Sequence, residues 1–239
     1  MGTYSLNREP VVARSSSRAA PGSSSSIVSS SVTGTNADLF AHVIPLWTTP
    51  DDVIMDVTYG HGVFWRKLDG LPHIHHDLRL DGVDCRALPE QDESVDVVVL
   101  DPPYRPTHGS KSPMMVEQYG LGTEQLDSMN DVLALYGAAA REAWRVLRPG
   151  GRVLVKCQDS SYSSRLHLVT LDVLRELTES GFTLGDQFIY TNPTPLRLNP
   201  RVVRAKRARR GHSVLWVAVK ETRMTKRDRA RAKKVASNG

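Results

Sequence analysis

The chain has 239 residues, of which 40% are hydrophobic, enough for one sizeable domain with a buried core. Its two cysteines, Cys85 and Cys157, have no CxxC spacing, which argues against a disulfide framework and against a cysteine-rich zinc site. Neither an apolar run of about 18 residues nor a signal-peptide core occurs, so we expect a cytoplasmic protein that does not span a membrane.

The net charge of +5 is concentrated at one end of the chain. Residues 201–239 hold 14 Lys and Arg and 2 Asp and Glu, a net charge of +12, which leaves −7 on residues 1–200. A basic block of this density predicts an acidic polymer as partner, because each phosphate that it neutralises releases condensed counterions. The alternative is a solvated tail that only increases solubility.

The first 34 residues differ in composition from the rest of the chain. Positions 15–31 contain 10 serines and few large apolar side chains, so we predict that residues 1–34 are disordered. A globular domain is expected over 35–220 and a basic tail over 221–239. At the start of the domain, Thr35 or Asn36 can cap a short amphipathic helix.

Predicted strands alternate with predicted helices along the domain. The strands cover 53–57, 73–78, 82–85, 94–100, 152–157, 182–192 and 212–220; the helices begin near residue 36 and after residue 62, and cover 131–147 and 170–181. This order predicts an α/β fold with a mostly parallel seven-stranded sheet and helices on both faces. The last two strands have no helix between them and should form an antiparallel edge.

Acidic residues follow the first four predicted strands. Asp56, Asp77, Asp84 and Asp101 come at or just after the strand ends, where ligands bind in an open parallel sheet. Only six residues separate Asp77 from Asp84, so the crossover there must be truncated, or the second strand is misplaced and Asp81 is the relevant acid. The glycines of the sequence DVTYGHG (56–62) allow a close approach of the backbone to a ligand.

Three motifs make the chain resemble the class I S-adenosylmethionine-dependent methyltransferases, and among them the DPPY-type amino-methyltransferases of nucleic-acid bases. They are DVTYGHG (56–62), DGVDCRALPEQDESVDVVVLDPPY (81–104) and VLRPGGRVLVK (146–156), in the usual linear order of that family. The resemblance spans roughly residues 36–220. It implies a Rossmann-like class I methyltransferase fold and S-adenosylmethionine as cofactor.

The resemblance also implies roles for single residues. Cofactor contacts would come from positions in the first helix, the glycine loop and the strand ends, namely Phe40, Asp56, Thr58, Gly60, Gly62, Asp77, Asp84 and Asp101. Asp77 would hold the ribose hydroxyls, with Asp81 as its substitute, and Asp84 would accept from the adenine amino group. The catalytic residues would be Asp101, Pro102, Pro103 and Tyr104.

The DPPY sequence suits the chemistry of a base amine. The lone pair of an exocyclic amino group is delocalised into the ring, so the amine is a poor nucleophile. Two acceptors, the Asp101 carboxylate and the Pro102 carbonyl, would stabilise the developing positive charge on nitrogen. Tyr104 would stack on the base, which offsets the few kcal/mol needed to flip a base out of a duplex. The alternative interpretation is a rigid turn without chemistry.

Two further segments are candidates for contact with nucleic acid. The long loop after Tyr104 carries Arg105, His108 and Lys111; its alternative is a plain surface loop. The predicted hairpin loop 192–211 has seven Lys and Arg and no acid. Within it we expect phosphate contacts from Arg201, Arg204, Lys206, Arg207, Arg209 and Arg210.

No metal site is expected. Five histidines are candidate metal ligands, namely His61, His73, His75, His76 and His108. However, neighbouring residues of a strand face opposite sides of the sheet, and neither a cysteine nor an acid pair joins these histidines at ligand spacing. Methyl transfer from a sulfonium also requires no metal.

The predicted function is methylation of an exocyclic base nitrogen. The preferred target is adenine N6 in DNA, and the next is cytosine N4 in DNA. If DNA is the substrate, we expect the protein to be associated with the nucleoid. Guanine N2 or adenine N6 in RNA is the alternative substrate class. A catalytically inactive nucleic-acid-binding protein is the rival from another class, and a protein glutamine or a small molecule is a third possibility. The sequence does not indicate an oligomeric state.

Overall fold

The structure, a computed structural model, describes residues 28–106, 126–193, 208 and 210–221. The predicted nucleic-acid contacts at His108, Lys111, Arg201, Arg204, Lys206, Arg207 and Arg209 lie outside these ranges, as do most of the serine-rich segment and the basic tail. Strands are β1 Ser31–Thr33, β2 Ile54–Asp56, β3 Ile74–His75, β4 Val95–Leu100, β5 Leu147–Cys157, β6 Ser160–Tyr162, β7 Arg165–His167, β8 Thr183–Thr191 and β9 His212–Val219; helices are α1 Asn36–Trp47, α2 Met129–Val146 and α3 Val169–Glu179.

Seven strands of the described ranges form one sheet in the order β1-β8-β9-β5-β4-β2-β3, and β6 pairs with β7 separately. Neighbouring strands run parallel except at β9, which is antiparallel to both β5 and β8. The predicted α/β class, the Rossmann-like arrangement and the mostly parallel seven-stranded sheet are therefore confirmed. The antiparallel strand β9 is internal and not at an edge, because β5 and β8 lie on either side of it; β1 forms the edge beyond β8.

The strand β1 corrects the predicted start of the domain. Ser31–Thr33 pairs in parallel with the end of β8, in the register Ser31 to Ile189. This short strand has no apolar alternation that would mark it in the sequence, and the free edge of β8 supplies its hydrogen bonds. The domain therefore begins before the predicted boundary at residue 35. Disorder of the preceding serine-rich residues stays a prediction.

The predicted third strand at 82–85 is wrong. These residues form turns with one isolated bridge between Asp84 and Ala87. The carboxylate of Asp81 accepts from the backbone N–H of Asp77 and of Val83, and that of Asp84 accepts from the N–H of Arg86. Acidic side chains that bond to nearby backbone in this way favour turns over strand pairing. The β1 strand takes the place of this strand in the count of seven.

The predicted helix after Gly62 is also absent, since residues 63–67 form turns. The backbone bonds here span three residues, from Trp65 N to the Gly62 carbonyl and from Leu68 N to the Trp65 carbonyl. The Trp65 indole donates to the buried carboxylate of Asp56 at 2.7 Å. This side-chain bond holds the segment close to the end of β2 in place of a regular helix.

Helices cover both faces of the sheet. On one face α1 packs on Ile54, Val97, Leu154 and Val217, together with Phe64. On the other face α2 and α3 pack on alternate residues of the same strands, including Val98, Val153, Val155, Trp216 and Ala218. Helix α1 begins at a capping box between Thr35 and Asp38, which confirms the predicted cap, and α2 begins at one between Ser128 and Asp131.

The parallel strands β2, β4 and β5 end at one edge of the sheet, here named the carboxyl edge. Because β9 is antiparallel to β5, with Val214 paired to Cys157, β9 begins at this edge. Strand β8 ends there too, since Thr191 pairs with His212. The amide of Gln158, just after β5, donates to the His212 carbonyl at 2.6 Å. Both ends of the basic connection 192–211 are therefore at the carboxyl edge.

Candidate active site at the carboxyl edge

The loop after β2 is organised around Asp56. This residue is 1% exposed, and its carboxylate accepts from the Trp65 indole at 2.7 Å and from the Thr58 N–H at 2.9 Å. Burial raises the pKa of Asp56 to about 7, against the effect of these hydrogen bonds. The enclosed carboxylate shapes the loop from inside and leaves little surface for a ligand, so its predicted place beside the cofactor is not supported.

The two glycines of this loop differ in what surrounds them. Gly60 has a φ of +53°, and a Cβ there would have no neighbour closer than Asp77 Oδ2 at 3.9 Å. Gly62 has a φ of +61°, and a Cβ there would lie 2.5 Å from the Tyr59 hydroxyl. Only glycine adopts such values without strain. The backbone at Gly60 is thus open to a ligand, whereas Gly62 is covered by Tyr59.

Asp77 joins the loops that follow β2 and β3. Its Oδ2 accepts from the Gly60 N–H at 3.0 Å, and the Tyr59 N–H donates to the His76 carbonyl at 3.0 Å. Because β3 ends at His75, Asp77 is the acid next to the end of the strand predicted at 73–78, the second in the predicted order. It is half-buried, beside the open backbone of Gly60.

The alternative acid, Asp81, is engaged elsewhere. His76 contacts Asp81 Oδ2 through Nδ1 at 2.7 Å and Glu90 Oε1 through Nε2 at 2.8 Å. Burial lowers the pKa of His76, but the two carboxylates outweigh this effect and raise the pKa above its ordinary value. This arrangement ties the two ends of the 77–90 segment together.

Asp84, the predicted adenine acceptor, forms a two-point ion pair with Arg86. The guanidinium donates to both carboxylate oxygens, with Nη2 to Oδ2 at 2.6 Å and Nε to Oδ1 at 2.9 Å. This pair lowers the pKa of Asp84. The carboxylate therefore has only part of its accepting capacity left for a ligand.

Asp101 lies at the carboxyl end of β4, an inner strand of the sheet, and 21% of its side chain is exposed. Its carboxylate accepts from Lys156 Nζ at 3.2 and 3.3 Å, and its backbone N–H donates to Thr58 Oγ1 at 2.8 Å. Burial raises the pKa of Asp101, and the Lys156 ammonium opposes this rise. Asp101 is thus fixed in position by Lys156 and Thr58, and its carboxylate remains accessible to a ligand from solvent.

The buried hydroxyl of Tyr136 on α2 contacts two carbonyls, that of Pro102 at 3.0 Å and that of Lys156 at 3.1 Å. A phenol has a single proton, so it donates to one of the two at a time. The Pro102 carbonyl, predicted to accept from an amine, therefore already has a protein partner beside it. A carbonyl oxygen has two lone pairs and retains capacity for a second donor.

Phe40 belongs to the core. It is 0% exposed, stacks on Phe64 with ring centroids 4.2 Å apart and meets the edge of Trp65 at 5.3 Å. This packing leaves it no face for a cofactor, which corrects the prediction. Its contribution to the site is indirect, because Phe64 in turn lies 5.6 Å from Lys156 Nζ.

Of the remaining predicted residues, Pro103 and Tyr104 are half-buried just after Asp101, and Tyr104 packs against the core on the α2 side. Arg105 is exposed, and Arg210 is half-buried near the start of β9. The structure thus brings the DPPY residues together with the end of β5.

A groove lies between the β6–β7 hairpin and the beginning of α2. It is lined by Ser128, Met129, Asn130, Tyr162, Ser163, Arg165 and His167. The hairpin follows β5 directly, so the groove is on the side of the carboxyl edge. Sequence reasoning missed it, because the hairpin has no strand pattern and its pairing is visible only in three dimensions.

Two kinds of feature are absent from the described ranges. No group of three or more His, Cys, Asp or Glu side chains there is arranged to hold a metal ion. No helix in this part of the chain is long and apolar enough to cross a membrane.

No protein-family model matches the chain, and no curated protein has significant sequence similarity to it. Among solved structures, the chain is similar to a putative DNA modification methylase from Thermus thermophilus complexed with S-adenosyl-L-methionine, with 18% identity and a TM-score of 0.40 over 72% of this chain and 57% of that chain. The chain thus spans little more than half the length of that protein.

Two further structures are similar to this chain. One is the cytosine-N4-specific PvuII DNA methyltransferase, with 20% identity and a TM-score of 0.43 over 58% of this chain and 47% of that chain. The other is a putative methyltransferase from Bacillus halodurans C-125, with 16% identity and a TM-score of 0.45 over 77% of this chain and 99% of that chain. The sheet order, with helices on both faces, makes this chain an α/β protein with a Rossmann-like arrangement.

Proposed function

We propose that the protein uses S-adenosylmethionine to methylate an exocyclic amino group of a nucleic-acid base. The observation that carries this proposal is Asp101, which lies in a DPPY sequence at the carboxyl end of the inner strand β4 and presents a partly exposed carboxylate. Lys156 and Thr58 hold it from the protein side. An acceptor fixed in this way is suited to bind an amine and to stabilise the charge that develops on it.

The carboxyl edge fits S-adenosylmethionine in part. The open backbone at Gly60 and the half-buried Asp77 lie side by side, so a ligand can contact the loop and a carboxylate together. We assign the ribose hydroxyls to Asp77. Asp84 can accept from adenine with the capacity that Arg86 leaves, while Asp56 and Thr58 shape the loop. When bound, the cofactor supplies a methyl group on a positively charged sulfur.

The reaction forms one bond and breaks one. The amine nitrogen forms a bond to the methyl carbon with its lone pair while the carbon–sulfur bond breaks and its electron pair stays on sulfur. The nitrogen then carries a positive charge and loses one proton, which the Asp101 carboxylate accepts and releases through its exposed face. The Pro102 carbonyl accepts the second amine hydrogen, and Tyr104 stacks on the base.

A nucleic-acid substrate is supported by charge at the same edge. Strands β8 and β9 meet the basic connection 192–211 at the carboxyl edge, and Arg210 is the described residue of that cationic set. Arg165 and His167 line the groove beside α2. Phosphate contacts from such groups supply sequence-independent affinity. We take adenine N6 in DNA as the first substrate, cytosine N4 in DNA as the second, and guanine N2 or adenine N6 in RNA as the alternative.

The test is transfer of a tritiated methyl group from S-adenosylmethionine to DNA and, separately, to total RNA, followed by nucleoside analysis. We expect labelled N6-methyladenine or N4-methylcytosine from DNA. If only RNA nucleosides were labelled, the substrate would be RNA and not DNA. If calorimetry showed cofactor binding but neither polymer were labelled, base methylation would be contradicted and a binding protein on the same fold would be favoured.

A further inference from the structure

Lys156 is a buried cation at the end of β5. Only 7% of the surface of Lys156 is exposed, and its ammonium lies 3.2 and 3.3 Å from the two carboxylate oxygens of Asp101. A buried lysine is costly unless it is paired, so a pair in this position has a structural or a chemical purpose.

The register of the sheet places the two side chains together. Leu100 pairs with Val155, so Asp101 and Lys156 are the next residues on neighbouring strands. Side chains alternate between the two sheet faces along each strand. The side chains of Asp101 and Lys156 therefore both lie on the face that carries Phe64. The Phe64 ring lies 5.6 Å from Lys156 Nζ and is itself stacked on Phe40. The ammonium is thus held between a carboxylate and an aromatic face.

We propose that Lys156 is a positioning residue that keeps the Asp101 carboxylate ionised and oriented for an incoming amine. The inference rests on the proposed function, because it concerns the same site. A protonated Asp101 would have an O–H donor in place of one acceptor and could not take the amine proton. Lys156 prevents this, because a cation at this distance favours the charged form of the carboxylate.

The consequence is a defined limit to activity at low pH. Methyl transfer is lost as the pH falls through the pKa of Asp101, since only the ionised carboxylate accepts. Burial alone raises the pKa of Asp101, and Lys156 opposes that rise. Without the ammonium the pKa rises further, and the acidic limb of the pH–rate profile moves to higher pH.

The experiment compares Lys156→Met and Lys156→Arg with the wild-type protein in single-turnover methyl transfer across pH. We expect Lys156→Met to move the acidic limb upward by about 1–3 pH units, the effect typical of losing an opposite charge at this distance. Lys156→Arg keeps the charge and should return the limb toward its wild-type position. Calorimetry measures S-adenosylmethionine affinity for each variant separately.

Lys220 supplies a matched control. It is also 7% exposed and paired, but Nζ donates to the Leu147 and Trp144 carbonyls at 2.7 and 2.8 Å and to Glu93 at 3.2 Å. These partners lie at the edge of the sheet opposite the site. Lys220→Met should therefore lower the melting temperature and leave the acidic limb in place. If Lys156→Met gave this same result, Lys156 would be purely structural and the proposal overturned.

Two further measurements keep the inference testable. Should Lys156→Met fail to fold, Lys156→Gln retains a polar head without charge and should give the same upward shift; an unshifted limb would contradict the proposal. Should the wild-type protein show no methyl transfer, ¹³C NMR titration of the Asp101 carboxyl, assigned with Asp101→Asn, reports its pKa directly. An unchanged pKa in Lys156→Met would refute the inference independently of the proposed function.

Discussion

The backbone N–H of Asp101 donates a hydrogen bond to the hydroxyl oxygen of Thr58 at 2.8 Å. Thr58 in turn donates its own N–H to Asp56 at 2.9 Å. One threonine therefore links the enclosed carboxylate of Asp56, in the loop after β2, to the partly exposed carboxylate of Asp101 in the DPPY sequence. The position of Asp101 depends on the loop after β2 as well as on Lys156.

Replacement of Thr58 tests this link. In Thr58→Val the Asp101 N–H loses its acceptor, and we expect the free energy of unfolding to fall by about 1–3 kcal/mol, the cost of an unsatisfied part-buried donor. Thr58→Ser keeps the hydroxyl and should lose less than half as much. Urea denaturation of both variants measures the difference. Equal losses would show that removing the methyl group costs as much as removing the hydroxyl, which would contradict a leading role for the hydrogen bond to Asp101.

The pKa of Asp56 predicts a pH dependence of stability. Burial raises this pKa from 3.8 to about 7, so the folded protein holds a proton that the unfolded chain has released. The contribution of Asp56 to stability therefore falls as the pH rises through that window and is constant above it. In Asp56→Asn this decline should be absent, so the variant should gain stability relative to wild type between about pH 4 and about pH 8. If the free energies of unfolding of the variant and the wild type changed with pH in parallel, a raised pKa of Asp56 would be contradicted.

His76 predicts a second pH effect in a higher window. Its pKa in the folded protein is above the ordinary 6.5, because Asp81 and Glu90 outweigh the opposing effect of burial. The stabilisation is fully present below about pH 6.5 and is lost as the pH rises through the folded pKa. His76→Gln should therefore be less stable than wild type at about pH 6, with the difference shrinking at about pH 9. A pH-independent difference would show that packing, not charge, is involved.

Asp101→Ala should reduce methyl transfer by at least about 100-fold in kcat, since the acceptor for the amine is lost. Calorimetric affinity for S-adenosylmethionine should stay within a few-fold of wild type. Glu179→Ala, which changes an exposed acid at the carboxyl-terminal end of α3, is the control and should keep full activity. Loss of cofactor affinity with turnover preserved at saturation would contradict the role of Asp101.

Charge reversal in the basic connection tests its binding to the polymer. Arg207, Arg209 and Arg210 replaced together by Glu should weaken nucleic-acid binding and flatten its salt dependence by about one unit of slope for each phosphate that is no longer neutralised. The control reverses Arg227, Arg229 and Arg231 in the tail, which changes the net charge equally. If both triple variants had the same slope, overall charge and not the connection between β8 and β9 would explain binding.

Much of the fold could be predicted because its central strands are strongly patterned. The four apolar residues before Asp101 mark β4 directly. Gly150 and Gly151 indicate that α2 ends before them. The edge strand β1 could not be predicted, since it is held by the unpaired side of β8 and not by its own side chains. The false strand at 82–85 has apolar residues but carries acids that favour turns.

The site was predictable only at the ends of its strands. Asp101 follows an apolar run, which is a local signal, whereas Asp77 follows a short predicted strand whose only apolar residue before the acid is Ile74. Lys156 and Tyr136 are far from Asp101 in sequence, and their contacts depend on strand register and on how α2 packs. A lysine that ends an apolar strand carries no sign of its partner. The burial of Asp56 and Phe40 likewise follows from tertiary packing.

The direction of β9 separates the two basic segments of the chain. Its 8 residues begin at His212 on the carboxyl edge, and at about 3.3 Å per residue the strand is about 26 Å long. The far end of β9, at Val219, therefore lies about 26 Å from the basic connection, a distance equal to about eight base pairs of duplex.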